Sequence, residues 1–188
     1  LELTGDTKPD MGSLTLSSLN FNKQSSLNSP QMIIKLANKM KDKGIVPELE
    51  AFDSGMINFA KYLLNKNILS SPNYINLLFG NIACAQADLL HSGLMVRDLP
   101  EKTFWSFAGI GDYQFMMNSI AIAAGGGVRV GIEDNIWFDK KRTKLATNSE
   151  LLKRIHKIAK ANERTILKSS KMRKLLHLEK GNGSYGRL

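Results

Sequence analysis

Residues 103–124 read Thr-Phe-Trp-Ser-Phe-Ala-Gly-Ile-Gly-Asp-Tyr-Gln-Phe-Met-Met-Asn-Ser-Ile-Ala-Ile-Ala-Ala. The stretch opens with a β-rich run at residues 103–108, turns at Gly109 and Gly111, and continues as an apolar helical run at residues 116–124. It therefore predicts one β-strand followed by one α-helix. Such a unit builds parallel sheets, because the crossover helix returns the chain to the start of the next strand.

The same pattern recurs on both sides of this stretch. Further β-rich runs lie at residues 12–18, 47–52, 74–79 and 128–132. Helical runs are predicted from Ser29-Pro30 onward, at 56–64, at 83–95, from a capping box at Thr147 to Glu150, and at 170–178. Five strand–helix units, each about 25–30 residues long, predict an α/β fold with a parallel sheet and right-handed crossovers.

Two architectures fit this alternation: an open doubly wound sheet, or part of an eight-stranded β/α barrel. No GxGxxG or Walker pattern follows any predicted strand, which weakens the nucleotide-binding sheet. Five units in 188 residues scale to about 300 residues for eight, an ordinary barrel size. Five such units would then make up five-eighths of a barrel domain, and the pattern alone leaves both architectures open.

The composition is that of a globular protein, with 43% hydrophobic and 23% charged residues. A net charge of +9 could indicate a nucleic-acid partner. The basic run of the last long helix has no aromatic residues interleaved with it, however, so we predict a solvated basic face and no nucleic-acid binding. A single cysteine, Cys84, excludes an intramolecular disulfide and favours a reducing, cytoplasmic location. No apolar stretch reaches about 18 residues, so no membrane span is expected.

Function in either architecture gathers at the carboxyl ends of the strands. The polar residues predicted there are Ser17, Ser18, Asn20, Glu48, Glu50, Asp53, Asn76, Ser106, Arg129, Glu133, Asp134 and Asn135. Arg129 lies between apolar neighbours and needs an anion if it points into a barrel, either for function or in a structural pair with Glu50 or Asp134. Glu48 and Glu50 lie two residues apart on one strand, so both side chains face the same way. Either they face inward and need a cation, or they face outward and Leu49 and Ala51 face inward.

Six blocks of sequence carry a family resemblance. They are Pro-Asp-Met-Gly-Ser-Leu at 9–14, Ser-Leu-Asn-Phe at 18–21, Pro-Glu-Leu-Glu-Ala-Phe-Asp at 47–53, Trp-Ser-Phe-Ala-Gly-Ile-Gly at 105–111, Gly-Gly-Val-Arg-Val-Gly-Ile-Glu-Asp-Asn at 126–135 and Leu-Ala-Thr-Asn at 145–148. In this order they resemble the C-terminal part of the β-keto acid cleavage enzymes of the 3-keto-5-aminohexanoate cleavage type. The resemblance covers nearly the whole chain.

The resemblance implies a (β/α)8 TIM barrel, of which this chain holds about strands four to eight. Residues 1–180 would then be the C-terminal five-eighths of a single barrel domain, with Leu1 an internal residue and residues 181–188 a flexible tail. It implies a zinc-dependent, homo-oligomeric and usually tetrameric enzyme. Such an enzyme converts a β-keto acid and acetyl-CoA into acetoacetate and a new acyl-CoA. The alternative is a catalytically incomplete barrel fragment that serves as a structural subunit or a relic.

The resemblance also implies site residues. Glu133 matches the zinc-binding glutamate, whereas the two histidines of the family's His-x-His motif are absent from this sequence. Arg129 and Asp134 match an active-site arginine and aspartate, and Glu50, with Glu48 as the alternative, matches the strand-five glutamate. The predicted substrate-binding residues are Ser18, Asn20 and Ser106. Two departures are Gly127, where the family often has histidine, and Asp112-Tyr113, which replace commoner basic residues.

Overall fold

Five parallel strands form the centre of the computed structural model, which describes residues 8–178. With the two strands of a separate hairpin, the described residues hold seven: β1 (Met11–Thr15), β2 (Leu19–Asn20), β3 (Ser25–Ser26), β4 (Val46–Ala51), β5 (Asn73–Phe79), β6 (Thr103–Gly109) and β7 (Gly127–Val128). The sheet runs in the order β1-β4-β5-β6-β7, which is also the order along the chain. The short strands β2 and β3 pair with each other in an antiparallel hairpin directly after β1.

Helices connect the strands as the sequence predicts. They are α1 (Pro30–Asp42), α2 (Ser54–Asn65), α3 (Leu89–Arg97), α4 (Gln114–Ala123), α5 (Asn148–Ala161) and α6 (Ser169–Leu175). Ser29 caps α1, and the capping box of Thr147 and Glu150 at the start of α5 is confirmed. Within residues 8–178 no helix is long and apolar enough to cross a membrane.

Several predicted boundaries were wrong. The first strand, predicted at 12–18, ends at Thr15. The fifth strand, predicted at 128–132, ends at Val128, because the next residues turn to place an arginine and two carboxylates. The helix predicted from residue 83 begins only at Leu89, where Asp88 accepts a hydrogen bond from the amide of His91 and so caps the first turn. The last helix stops at Leu175 rather than 178, and His177 takes a left-handed conformation (φ 55°). The predicted tail at 181–188 lies outside the described residues.

The strand register sorts side chains onto two faces. Leu49, Ile75 and Trp105 lie side by side on the face covered by helices, as do Ala51, Leu77 and Phe107 in the next row. The opposite face carries the alternating residues, which are Ser13, Thr15, Glu48, Glu50, Tyr74, Asn76, Phe104, Ser106 and Gly127. Both glutamates therefore lie on the polar inner face, which decides between the two alternatives for β4.

One glycine before β7 is required by packing. A Cβ at Gly126 would overlap the ring of Trp105, whereas a Cβ at Gly93, exposed in α3, would meet nothing within 4 Å. The short edge strand β7 can thus approach β6 only because Gly126 has no side chain.

We therefore expect Gly126→Ala to lower the free energy of unfolding by about 2 kcal/mol, because the ring or the strand must move. Gly93→Ala is the matched control and should raise it by up to about 1 kcal/mol, since alanine favours a helix. Urea denaturation measures both. A Gly126→Ala protein as stable as Gly93→Ala would contradict the packing argument.

Helix α6 is tied back to the start of β1 by an ion pair. Arg173 donates to both carboxylate oxygens of Asp10, at 2.6 and 2.8 Å. These hydrogen bonds hold the pKa of Asp10 below its ordinary value. The neighbouring Leu176 is buried, so the pair and an apolar anchor dock the helix together.

This pair makes a pH-dependent contribution to stability. Because the folded state lowers the pKa of Asp10, the stabilisation is present above the unfolded pKa, near 4, and is lost as the pH falls through the folded value. Asp10→Asn should cost about 1 kcal/mol at pH 7 and nothing once Asp10 is protonated in the wild type. Asp42→Asn, an exposed aspartate at the end of α1, serves as the control. A cost that does not shrink on acidification, measured by urea denaturation, would contradict this role.

Candidate active site

Arg129 is the centre of an ion cluster at the carboxyl end of the sheet. Its Nη1 lies 2.7 Å from Oε1 of Glu50, on β4. Its Nε and Nη2 lie 3.2 and 3.3 Å from the two carboxylate oxygens of Asp134, and Nη2 lies 3.2 Å from Oε1 of Glu133. The structure thus brings together all three predicted catalytic residues and the predicted metal ligand.

The backbone around Arg129 is held by two side chains of α4. Asn118 Nδ2 donates to the carbonyl oxygens of both Phe107 and Arg129, at 3.0 Å each, and so joins β6 to the end of β7. Gln114 Nε2 donates to the carbonyl oxygen of Gly131 at 2.8 Å. Both side chains are fully buried, so the position of the arginine is set by helix packing.

The carboxylates are placed by separate contacts. The amide of Gly111, just after β6, donates to the carbonyl oxygen of Asp134 at 2.8 Å. The hydroxyl of Thr15, on β1, donates to Oε2 of Glu50 at 2.7 Å. Four of the five sheet strands, or the loops that follow them, therefore contribute to one cluster.

The cluster holds one cation and three carboxyl groups, which differ in exposure. The side chain of Asp134 is 5% exposed and that of Glu50 13%, whereas that of Glu133 is 84% exposed. Burial raises the pKa of Asp134 even though Arg129 opposes the shift. Burial alone would lower the pKa of Arg129, but the charge of Asp134 and the hydrogen bond to Glu50 outweigh it and raise that pKa. The arginine thus stays charged between two largely buried carboxyl groups.

A second polar layer lies on the inner face of the sheet beside the cluster. Its Glu48 and Tyr74 stand one row nearer the amino ends than Glu50, whereas Asn76 and Ser106 are in register with Glu50. Asn76 Nδ2 donates to Glu48, and the Ser106 hydroxyl donates to Asn76 Oδ1. Ser106 also hydrogen-bonds Tyr74, whose pKa is raised by burial. Ser106 is fully buried, so the structure places this predicted substrate-binding residue within the polar layer.

The other two predicted substrate-binding residues lie in the segment after β1. The Ser18 hydroxyl accepts a hydrogen bond from the amide of Asn28 at 2.8 Å, and the carbonyl oxygen of Asn20 accepts one from Asn81 Nδ2 at 2.9 Å. Within the described residues no hydrogen bond joins either residue to the ion cluster. Both are exposed at the carboxyl end of β1, so they lie on the same side of the sheet as the cluster.

Sequence reasoning missed the residues that support the site. Thr15, Asn81, Gln114 and Asn118 were not singled out, although each makes one of the contacts described above. A signal existed for Asn118, a polar residue in the middle of an otherwise apolar helical run. Asn81 directly follows the glycine that ends β5, the position where polar strand-end residues are sought.

The described residues do not fit a complete zinc site. Between residues 8 and 178 no three His, Cys, Asp or Glu side chains converge as metal ligands. Structural zinc sites have four protein ligands and catalytic ones three. Glu133, the predicted ligand, contacts Arg129 instead. His91 pairs with Asp88 at the start of α3, through Nδ1 at 2.8 Å.

Comparison with known proteins adds a family assignment to this geometry. Residues 1–178 match the family described as beta-keto acid cleavage enzyme. A 3-keto-5-aminohexanoate cleavage enzyme of Fusobacterium nucleatum is 33% identical over 174 residues, which are 92% of this chain and 62% of that protein. A 3-dehydrocarnitine:acetyl-CoA trimethylamine transferase of Rhizobium meliloti is 32% identical over 174 residues, 92% of this chain and 57% of that protein. The chain thus spans about three-fifths of the length of these relatives.

A solved structure confirms the fold. The apo structure of ObcA superposes with a TM-score of 0.71 at 18% identity, over 90% of this chain and 44% of that one. The five-stranded sheet with its helices is therefore the partial β/α barrel that the sequence predicts.

The ion cluster predicts an asymmetry in stability. Arg129→Met would leave Glu50 and Asp134 largely buried without their cation and should cost about 3 kcal/mol. The same substitution at Arg97, whose pair with Asp98 is exposed, should cost less than about 1 kcal/mol. Urea denaturation at neutral pH measures both. Equal losses for the two variants would show that the buried carboxylates do not depend on Arg129.

Proposed function

Because the chain belongs to the β-keto acid cleavage enzyme family, we propose that it carries part of the active site of an enzyme that cleaves a β-keto acid with acetyl-CoA. The products are acetoacetate and a new acyl-CoA. In this exchange the bond between the α-carbon and the β-carbonyl carbon of the keto acid breaks. The α-carbon bonds to the acetyl carbonyl carbon, and the CoA sulfur takes the remaining acyl group, so atoms and charge balance.

The observation that carries the proposal is the Arg129 cluster. For its α-carbon to attack the acetyl group, a β-keto acid must lose an α-proton to a base. We assign this role to Asp134, since burial raises its pKa and a base of raised pKa is better matched to neutral pH. Arg129 holds Asp134 in place and offers a positive charge to the substrate carboxylate.

Glu50 and the exposed Glu133 complete the proposal. Glu50 fixes the arginine from the opposite side, so that the guanidinium cannot turn away from Asp134. Zinc binding through Glu133 stays a prediction from the family resemblance, and the His-x-His motif it requires does not occur in this sequence. We assign no step to a metal. The tetrameric assembly and cytoplasmic location likewise stay predictions.

The substrate class follows from the names of the relatives. 3-Keto-5-aminohexanoate and 3-dehydrocarnitine both carry a ketone at position 3. We propose a 3-oxo carboxylate for this protein too, with Ser18 and Asn20 on the hairpin side of its binding site. Ser106, which is fully buried, would support the site through Asn76 without reaching the substrate.

Acetoacetate formation tests the function. The protein is incubated with acetyl-CoA and each 3-oxo acid of a small panel, and acetoacetate and the new acyl-CoA are quantified by mass spectrometry. Both products should appear in equal amounts with at least one acid. Failure with every acid, in zinc-supplemented as well as metal-free buffer, would leave the alternative of a catalytically incomplete barrel.

Two isosteric variants test the assigned roles. Asp134→Asn should lower kcat by about 100-fold or more, because it removes the proposed base. Glu50→Gln should have a smaller effect, because Arg129 retains Asp134. Glu101→Gln, exposed before β6, is the control and should leave kcat unchanged. An Asp134→Asn enzyme with wild-type kcat would exclude Asp134 as the base.

A further inference from the structure

A hairpin-like loop follows the ion cluster directly. Trp137 and Leu145 form an antiparallel bridge, and the amide of Phe138 donates to the carbonyl oxygen of Lys144 at 2.8 Å. The amide of Ala146 donates to the carbonyl oxygen of Ile136, also at 2.8 Å. We call residues 136–146 the basic hairpin.

The tip of the basic hairpin has a fixed shape. The Asp139 carboxylate accepts hydrogen bonds from the Thr143 hydroxyl at 2.8 Å and from the amides of Thr143 and Lys144, at 3.1 and 2.8 Å. At its base, the guanidinium of Arg154 lies 4.6 Å from the ring centroids of both Phe115 and Phe138. These contacts, within the loop and to α4 and α5, fix the shape of the basic hairpin.

The tip of the basic hairpin is rich in basic residues. Four of its six residues are basic, in the sequence Asp139-Lys140-Lys141-Arg142-Thr143-Lys144. Arg142 pairs with Asp112 at 3.0 Å, and Lys144 pairs with Glu150. Lys140 and Lys141 are exposed, and among residues 8–178 the structure gives neither an ion pair nor a side-chain hydrogen bond. The fixed tip thus presents two uncompensated positive charges.

The tip is anchored close to the ion cluster. Asp112, which holds Arg142, follows Gly111, whose amide donates to the carbonyl oxygen of Asp134. The basic hairpin therefore stands at the carboxyl ends of β6 and β7, beside the site where we place the thioester chemistry.

We infer that Lys140 and Lys141 bind the phosphate groups of the CoA nucleotide. The inference rests on the proposed function. In acetyl-CoA a long pantetheine arm separates the thioester from the diphosphate and the 3′-phosphate. A thioester at the cluster therefore leaves the phosphates outside it, on the rim of the sheet. Lysine binds phosphate as a point charge, and a fixed loop loses little entropy on binding.

Calorimetric titration of the full chain with adenosine 3′,5′-bisphosphate and with acetyl-CoA tests the inference. Lys140→Gln/Lys141→Gln should weaken the binding of both ligands about tenfold, through the loss of two charge contacts. The matched control is Lys35→Gln/Lys39→Gln, which removes the same charge from exposed positions of α1, beside the opposite edge strand of the sheet. It should bind both ligands as the wild type does. The loss should also shrink at high salt, where screening weakens the wild-type contacts.

The outcomes separate this inference from the proposed function. Unchanged binding by the Lys140/Lys141 variant, or an equal loss in the control, would overturn the inference even if the enzyme forms acetoacetate. Lysine-dependent binding of the bisphosphate without any acyl exchange would support the inference and count against the proposed reaction. A wild-type protein that binds neither ligand would overturn both.

Discussion

A partly buried guanidinium needs anions around it, and this constraint shapes the site around Arg129. Glu50 reaches it from β4, Asp134 from the turn after β7, and Glu133 from the solvent side. Glu133 and Asp134 are neighbours in sequence, whereas Glu50 is far from both. The parallel order of the strands brings them together, because it sets their carboxyl ends at one edge of the sheet. The fold and the cluster therefore depend on each other: the sheet gathers the charges, and the charges tie distant loops to the sheet.

Only those parts of this arrangement that depend on neighbouring residues can be predicted from the sequence. Strand–helix alternation, the capping box at Thr147 and the need of Arg129 for an anion can all be inferred from neighbouring residues, and the structure confirms them. The orientation of Glu48 and Glu50 could not be inferred, since alternation alone permits either face. The short β7 could not be inferred either, because what ends it is a set of contacts to Gln114 and Asn118 of another element.

The inner face of the sheet carries two layers of polar groups, which differ in how open they are to solvent. The layer of Glu48, Asn76, Ser106 and Tyr74 is closed, with its hydrogen bonds made between strands. The layer of Arg129 is open on one side, where Glu133 is largely exposed. A closed layer gives rigidity, and an open one leaves room for a ligand. This difference is why we place the chemistry at Arg129 and treat the closed layer as support.

Asn118 gives the last strand an unusual dependence on a helix. Its amide group replaces part of a β-ladder, since it holds the carbonyl oxygens of Phe107 and Arg129 at once. Releasing either β7 or α4 therefore breaks a hydrogen bond to the other. We expect the two elements to open together in local unfolding, so that their amide protons exchange with solvent at similar rates.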